Sequence, residues 1–328
     1  MSQAVLRPRP SRQIGPSALG RKRTARPRSA NLRRQRLLVA ILLGIPTAYI
    51  AFFLGVPIVK AIGISLTNLA LTGPQAAHPA SVGFGNYRTL FTSSDFWQGM
   101  KASLEYLVGS AIVGQVIVGF LLAMYIERLG KLARSILLSV VVLAWIIPEI
   151  VVAFIWSGYL SVPSGLANTL LGFVGISPVP FLFKYPMLSL IVANAWRGMA
   201  FSVLVLGAAL QAVPLEVIEA AKLDGAGEWV LMRYVKLPLI RTAIATVLAL
   251  TTLWTLGDFT LIFVLTAGGP SGATDVIPVY TYQTSFSFYE LGYGTAVSLV
   301  LLLLACGLAY FYVRVAAANV KESAGAGR

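Results

Sequence analysis

The most chemically distinctive residues of this chain lie inside a long apolar run, where polar side chains are costly. Asn194, Arg197 and Phe201 are spaced i, i+3 and i+7, so one helix face would carry an amide, a guanidinium and an aromatic ring. Planar polar groups bind hydroxyls and an aromatic ring stacks on C–H groups, which together favour a polyhydroxy ligand. Gly198 lies on the same turn and would let a ligand approach the backbone closely.

A second polar face is predicted on the next apolar run. Thr251, Thr255 and Asp258 are spaced i, i+4 and i+7, which again places them on one side of a helix. Together the two faces would enclose a wet cavity near the middle of a bilayer. The alternative is structural, because Arg197 would also be satisfied by an ion pair with Asp258 or Glu149 that acts as a gate or packing element.

The polar segment Val213–Pro238 separates these two runs. It is long for a connection between membrane helices, which usually needs only a few residues. Pro214 suits the first turn of a helix that the Asp224-Gly225 turn would end, and a second short helix is predicted over 227–235, stopped by the final proline. The segment is therefore expected to lie on the membrane surface or to dock on another protein.

The same segment resembles the EAA signature of the permease subunits of ABC importers. Its E-A-A triplet, its glycine and its terminal hydrophobic-x-L-P stand at the family's spacings, with Val235 where isoleucine is usual. In that family the segment is the coupling helix, which sits in a groove of the cytoplasmic ATPase. The residues that the resemblance assigns to ATPase coupling are Glu216, Glu219, Ala220, Ala221, Asp224, Gly225, Leu237 and Pro238.

Three further segments resemble the carbohydrate-uptake branch of this family. They are the V-G-x-x-N-Y pattern within 81–87, the G-L-x-N-x-L-L-G pattern at Gly165–Gly172 and the L-T-x-G-G-P pattern at Leu265–Pro270. The chain is most similar in type to the first permease subunit of the maltose transporter. There, the sugar contacts come from the two spans that flank the EAA segment, which implies contacts here at Asn194, Arg197, Gly198, Phe201, Thr251 and Thr255.

Two departures from the maltose pattern imply a different ligand. Arg197 stands where that subunit type has an apolar residue, and Phe201 stands where it has a tyrosine. The set of Arg, Asn, Thr and Phe favours a neutral or anionic polyhydroxy ligand, including a sugar phosphate, whereas a pocket rich in carboxylates would favour a polyamine.

Composition indicates an integral membrane protein, because 57% of the 328 residues are hydrophobic, 12% are charged and the mean hydropathy is +0.78. The resemblance implies an all-α membrane fold, the six-helix transmembrane domain of type I ABC importers. The single Cys306 excludes an intramolecular disulfide, and no cluster of Cys and His predicts a metal site. Six apolar runs are long enough to span a bilayer: Leu37–Thr67, Leu104–Ile126, Ser135–Trp156, Pro186–Leu210, Ala243–Leu265 and Gly292–Val315.

The basic residues predict the orientation. The net charge is +14, and 21 of the 26 Lys and Arg residues lie in the first 36 positions, the 127–134 turn, the segment through Arg241 and the end from Arg314 onward. Basic residues favour the cytoplasmic side, so both termini and the coupling segment are expected there. The chain would comprise a disordered basic tail (1–36) near lipid headgroups, a transmembrane domain (37–316) and a short cytoplasmic tail (317–328). This distribution argues against a nucleic-acid partner.

The resulting hypothesis is a permease subunit in the cytoplasmic membrane that imports a carbohydrate or related polyol. No nucleotide-binding motif occurs in the sequence, so ATP and Mg are expected on a separate ATPase dimer at the cytoplasmic face, with no cofactor bound by this chain. A second EAA-type permease subunit and an extracytoplasmic solute-binding protein are the other expected partners. The alternatives are a permease for a sugar phosphate or polyamine, or a membrane enzyme, for which no nucleophile or metal constellation is present.

Overall fold

The computed structural model of the chain describes residues 28–325, with side chains described for residues 38–315. Residues 1–27 and 326–328, which belong to the two predicted tails, lie outside the described residues. Residues 28–36 and 317–325 are helical and continue the first and last helices. Elongating an existing helix costs little, and Arg, Ala and Gln are good helix formers.

Helices make up most of the described part. The helices that form the spans and the coupling segment are, in chain order, α1 (Arg28–Ser65), α2 (Ser94–Glu127), α3 (Lys131–Ile146), α4 (Glu149–Leu160), α5 (Pro186–Gln211), α6 (Leu215–Leu223), α7 (Glu228–Leu239), α8 (Arg241–Leu256), α9 (Thr260–Thr266) and α10 (Leu291–Gly325). Short helices in the connections are Pro74–Ala77, Gly85–Thr92, Leu166–Phe173, Phe181–Lys184, Ile277–Tyr282 and Gln283–Ser287. Among these residues the one β-contact is an isolated bridge between Thr67 and Ser81.

Four helices of the described chain are long and apolar enough to cross a membrane: Leu38–Ser65 within α1, then α2, α5, and Leu291–Val315 within α10. Two bent pairs, α3 with α4 and α7 with α8, bring the candidate spans to six. The predicted all-α fold is therefore confirmed. The described chain divides between Pro57 and Ile58 into two units. In the first unit, the described side chains of α1 are almost all exposed, as suits a helix that faces lipid.

Two of the predicted spans are broken rather than continuous. The run predicted at 135–156 bends by 105° between α3 and α4, because Pro148 forces Ile147 out of the helical conformation (φ −62°, ψ 128°). The run predicted at 243–265 ends its helix at Leu256 and resumes at Thr260, which leaves Asp258 in the break. A hydropathy average over a whole run does not reveal these breaks, although Pro148-Glu149 stands at one and Gly257-Asp258 at the other.

The second helix of the polar segment is longer than predicted. It continues through Leu237-Pro238 to Leu239, and the chain then turns by 70° at Ile240 into α8. Pro238 fits because the neighbouring stretch Leu231–Lys236 has π-helical turns, so its missing N–H removes no required α-helical bond.

Helices α2 and α5 are in close contact in the core. Gly109, Gly114 and Gly119 of α2 are five residues apart, and π-helical turns over Leu107–Val118 keep this spacing near one side of the helix. A Cβ on Gly114 would lie 2.3 Å from the Cβ of Ala195, and one on Gly119 would lie 2.8 Å from the Cβ of Ser202. Small residues therefore fix the distance between these two helices.

Gly114→Ala is expected to lower the stability of the folded chain by about 1–3 kcal/mol, because its methyl group overlaps Ala195 in a packed contact. The thermal unfolding midpoint in detergent measures the effect. Gly207→Ala on α5 is the matched control, since its Cβ would meet Ala123 at an ordinary 3.9 Å. Equal stability of the two variants would contradict the close contact.

The connection between α9 and α10 folds back on itself through polar contacts. The Thr274 hydroxyl donates to the Thr266 hydroxyl and the Gly269 carbonyl oxygen, both at 2.8 Å, and Gln98 of α2 donates to the Ser271 carbonyl oxygen at 3.2 Å. Asp275 is partly buried in this connection. That burial, and secondly the carboxylate of Asp95, raise the pKa of Asp275 from 3.8 to about 6.

A raised pKa in the folded state means that ionised Asp275 opposes folding, with no penalty below about pH 4 and the full penalty above about pH 6. Asp275→Asn should therefore raise the unfolding midpoint more at pH 7.5 than at pH 4.5. The measured quantity is the difference between variant and wild type at each pH, which cancels the titration of other groups. The same increment at both pH values would contradict the raised pKa.

Candidate functional site

A polar cavity of about 420 Å³ lies where α5, α8 and the two helix breaks meet. Its walls combine amide, hydroxyl, charged and aromatic side chains. Of the predicted ligand residues, the structure brings Asn194, Arg197, Gly198, Phe201, Thr255 and Asp258 to this cavity. The first four of these residues lie on α5 and Thr255 lies on α8, as their helical spacing predicts. Asp258 instead reaches the cavity from the break after α8.

Thr251 is the predicted ligand residue that does not line the cavity. It is fully buried, and its hydroxyl donates to the carbonyl oxygen of Val247 at 2.9 Å within α8. This hydroxyl is therefore used inside its own helix, as is common for threonine in apolar helices.

Helix α2 supplies two polar residues that the sequence did not single out. The Gln115 side-chain amide donates to the Thr255 hydroxyl at 3.4 Å, and the Asn194 amide donates to the Ser110 hydroxyl at 3.1 Å. A Cβ on Gly198 would lie 2.3 Å from the Gln115 side chain, so this glycine makes room for the glutamine at the cavity. A lone glutamine within an apolar run was the available signal.

Aromatic rings form an apolar wall of the cavity. The rings of Phe201 and Trp254 meet edge to face with centroids 5.0 Å apart, and Trp145 lies 6.1 Å from Phe201. Phe201 was predicted, whereas the two tryptophans come from other helices and were not. Such a wall complements the C–H face of a sugar ring.

The charged side chains of the cavity form a connected cluster. Arg197 Nη1 lies 3.7 Å from Glu149 Oε2, and Glu149 Oε1 accepts a hydrogen bond from the Leu261 backbone N–H at 3.0 Å. The Tyr106 hydroxyl donates to Asp258 Oδ2. The predicted alternative of an ion pair between Arg197 and Glu149 is thus present in this structure.

Two atoms of this cluster remain without a partner. Arg197 Nε and Asp258 Oδ1 are buried and have no hydrogen-bond partner among the described residues. Unpaired buried polar atoms are costly, so this part of the cluster is incompletely satisfied in this structure.

The predicted coupling segment is a separate, exposed feature. Helix α6 contains no buried residue, and Leu223 at its end is 90% exposed. Gly225 follows with φ +84°, and the N–H of Ala226 donates back to Ala221 at 2.9 Å, which ends the helix as predicted. Ile218 packs inward, against the cluster of Leu210, Val213 and Ile240.

Family comparison identifies the class of protein. Residues 115–319 match the family described as binding-protein-dependent transport system inner membrane component, over more than half of the chain. The chain belongs to this family: it is an ABC importer permease, a multi-pass inner-membrane translocation subunit and not an enzyme. The predicted type I importer fold is confirmed.

Individual relatives agree with this assignment. The chain is 32% identical to a probable ABC transporter permease of Sinorhizobium fredii, over 81% of this chain and 86% of the relative. It is 29% identical to the permease MalF of the trehalose/maltose transport system of Thermococcus litoralis, over 86% of this chain and 94% of the relative. A crystal structure of a bacterial ABC transporter involved in import of the acidic polysaccharide alginate is similar with a TM-score of 0.73 and 26% identity, covering 88% of this chain and 97% of that one.

Gly225→Asp is expected to abolish transport and leave the amount of protein in the membrane unchanged, because a side chain at φ +84° strains the turn that ends α6. Glu219→Lys should have the same effect by reversing the charge of an exposed residue on this helix. Solute uptake and membrane immunoblots measure the two quantities.

Gly227→Asp is the matched control for the added charge. Gly227 is exposed, precedes α7 with an extended φ of −71°, and offers a position that aspartate favours at the start of a helix. Normal transport in Gly225→Asp and Glu219→Lys would remove the coupling assignment.

Proposed function

We propose that the chain forms part of the translocation pathway of an ATP-driven importer for a carbohydrate or related polyol. The observation that carries this proposal is the 420 Å³ cavity, in which amide, hydroxyl and charged side chains lie beside an aromatic wall. Sugars need this combination of hydrogen-bonding groups and an apolar face. The similarity to a trehalose/maltose permease and to an alginate importer supports the same class of ligand.

We propose that α6 and the adjoining α7 receive a cytoplasmic ATPase dimer, which would hold ATP and Mg. The support is chemical: an exposed helix ends in a nearly fully exposed leucine, which is a surface that a partner would cover. Binding-protein dependence of the family supports a solute-binding protein as a further partner. A second EAA-type permease subunit would complete the pathway, and both termini would face the cytoplasm with the coupling segment.

A polyamine is the second candidate ligand, and a specific feature of the cavity favours it. Glu149 and Asp258 place two carboxyl groups beside one guanidinium, so the cavity carries no excess of positive charge. The cation Arg197 and the carbohydrate relatives argue for the first candidate.

The test is uptake in the native host. The gene is deleted, and uptake of radiolabelled neutral oligosaccharides, uronic acid oligosaccharides and spermidine is compared with and without a plasmid copy. Loss of uptake of one carbohydrate, restored by the plasmid, supports the proposal. Unchanged uptake of every carbohydrate together with lost spermidine uptake would replace it with the second candidate.

Two threonines of α8 give a matched pair of variants for the cavity itself. Thr255→Val removes a cavity hydroxyl and the partner of Gln115, and is expected to lower carbohydrate uptake about two- to tenfold, the equivalent of one hydrogen bond of about 0.5–1.5 kcal/mol. Thr251→Val has the same change of shape outside the cavity and should leave uptake unchanged. Initial uptake rates at equal membrane abundance are compared; equal losses in both variants would contradict this location of the pathway.

A further inference from the structure

The charged cluster of the cavity is organised around Glu149. This residue is the first of α4, immediately after the 105° bend at Pro148, and its side chain is 27% exposed. One carboxylate oxygen lies 3.7 Å from Arg197, and the other accepts the Leu261 N–H at 3.0 Å. The carboxylate is therefore held between the guanidinium of α5 and the backbone of α9.

Asp258 adds a second carboxyl group to the same cluster. It lines the same cavity as Glu149 and accepts a hydrogen bond from the Tyr106 hydroxyl. One guanidinium with two ionised carboxylates has a net charge of −1, and protonation of either carboxylate makes the cluster neutral. In neither state does the cavity offer an unpaired cation.

We infer that Glu149 sets the charge of the accepted ligand: by pairing with Arg197 it makes the cavity selective for an uncharged polyhydroxy compound and excludes an anionic one. This inference rests on the proposed function and decides between the neutral and anionic sugars that the sequence left open. The two carboxyl groups act against an anion, in the way that specific sites reject a competitor by repulsion.

The polar lining of the cavity fits the same ligand. Gln115, Asn194 and Thr255 line it beside the charged cluster. A sugar hydroxyl both donates and accepts, so it can bind amide, hydroxyl and carboxyl groups alike. A ligand carboxylate only accepts, and it would meet the carboxyl groups of Asp258 and Glu149 as like charges in a place of low dielectric constant.

The test compares sugars that differ only by a carboxylate. The membrane complex is purified from the host through a tag on this chain and titrated with glucose and glucuronate, and with cellobiose and cellobiouronate. Ligand-induced increases in the thermal unfolding midpoint give the apparent affinities. The wild-type complex is expected to bind the neutral member of a pair at least about tenfold more tightly than the uronate.

Glu149→Gln should release Arg197 and improve uronate binding by about tenfold, which narrows or reverses the preference for the neutral sugar over the uronate. Glu149→Asp keeps the charge and should restore the preference of the wild type. The double variant Glu149→Gln with Arg197→Gln should lose the gain in uronate binding. Glu105→Gln, an exposed glutamate on α2, is the control for loss of one carboxylate elsewhere.

The charge preference of the wild type decides the inference even if Glu149→Gln does not assemble. Uronate binding as tight as neutral sugar binding in the wild type, or an unchanged ratio in assembled Glu149→Gln, overturns it. If the complex binds sugars but does not prefer the neutral member of each pair, the inference fails and the proposed carbohydrate import remains supported. Binding of none of the four sugars overturns the inference together with the carbohydrate proposal.

Discussion

A charged side chain within the hydrocarbon core costs about 2.5–3.5 kcal/mol on insertion scales, and this cost organises the interior of the permease. Arg197 is placed on the apolar helix α5, where it needs a partner. Glu149 supplies one at 3.7 Å, and the Leu261 N–H supplies the second contact of that carboxylate. Arg197 thus lies at the polar cavity, where protein groups and a ligand can form hydrogen bonds with its guanidinium.

The two helix breaks follow from the same constraint. A backbone that leaves the helical conformation inside a membrane exposes unpaired N–H and C=O groups, which is tolerated where it lines a polar cavity or is buried in protein. The break at Pro148 brings Glu149 to the cavity, and the break between α8 and α9 brings Asp258 there. Glu149 then satisfies an N–H at the start of α9, so one broken span supports the other.

The helices around the cavity differ in how firmly they are held. Helices α2 and α5 are in close contact through glycines, and the hydrogen bond from the Asn194 amide to the Ser110 hydroxyl reinforces this contact. Helix α5 carries cavity residues at its centre and α8 carries them in its last turn, and the α6–α7 segment connects the end of α5 to the start of α8. A displacement of that segment would act directly on the helices that line the cavity, which is a short physical connection between the proposed docking surface and the proposed ligand site.

The sequence by itself determined the membrane class, the number of candidate spans, the end of α6 before Gly225 and the polar face of α5. These features depend on composition, periodicity and local turn chemistry, which neighbouring residues specify. The tertiary structure decided that Thr251 lies outside the cavity, that Gln115 fills the space above Gly198, that Trp145 and Trp254 form the aromatic wall, and that Arg197 faces Glu149 across a bend. Each of these depends on distances between residues far apart in the chain. Those distances are set by how closely glycines let helices approach and by where two spans break, and a hydropathy average predicts neither the approach nor the breaks.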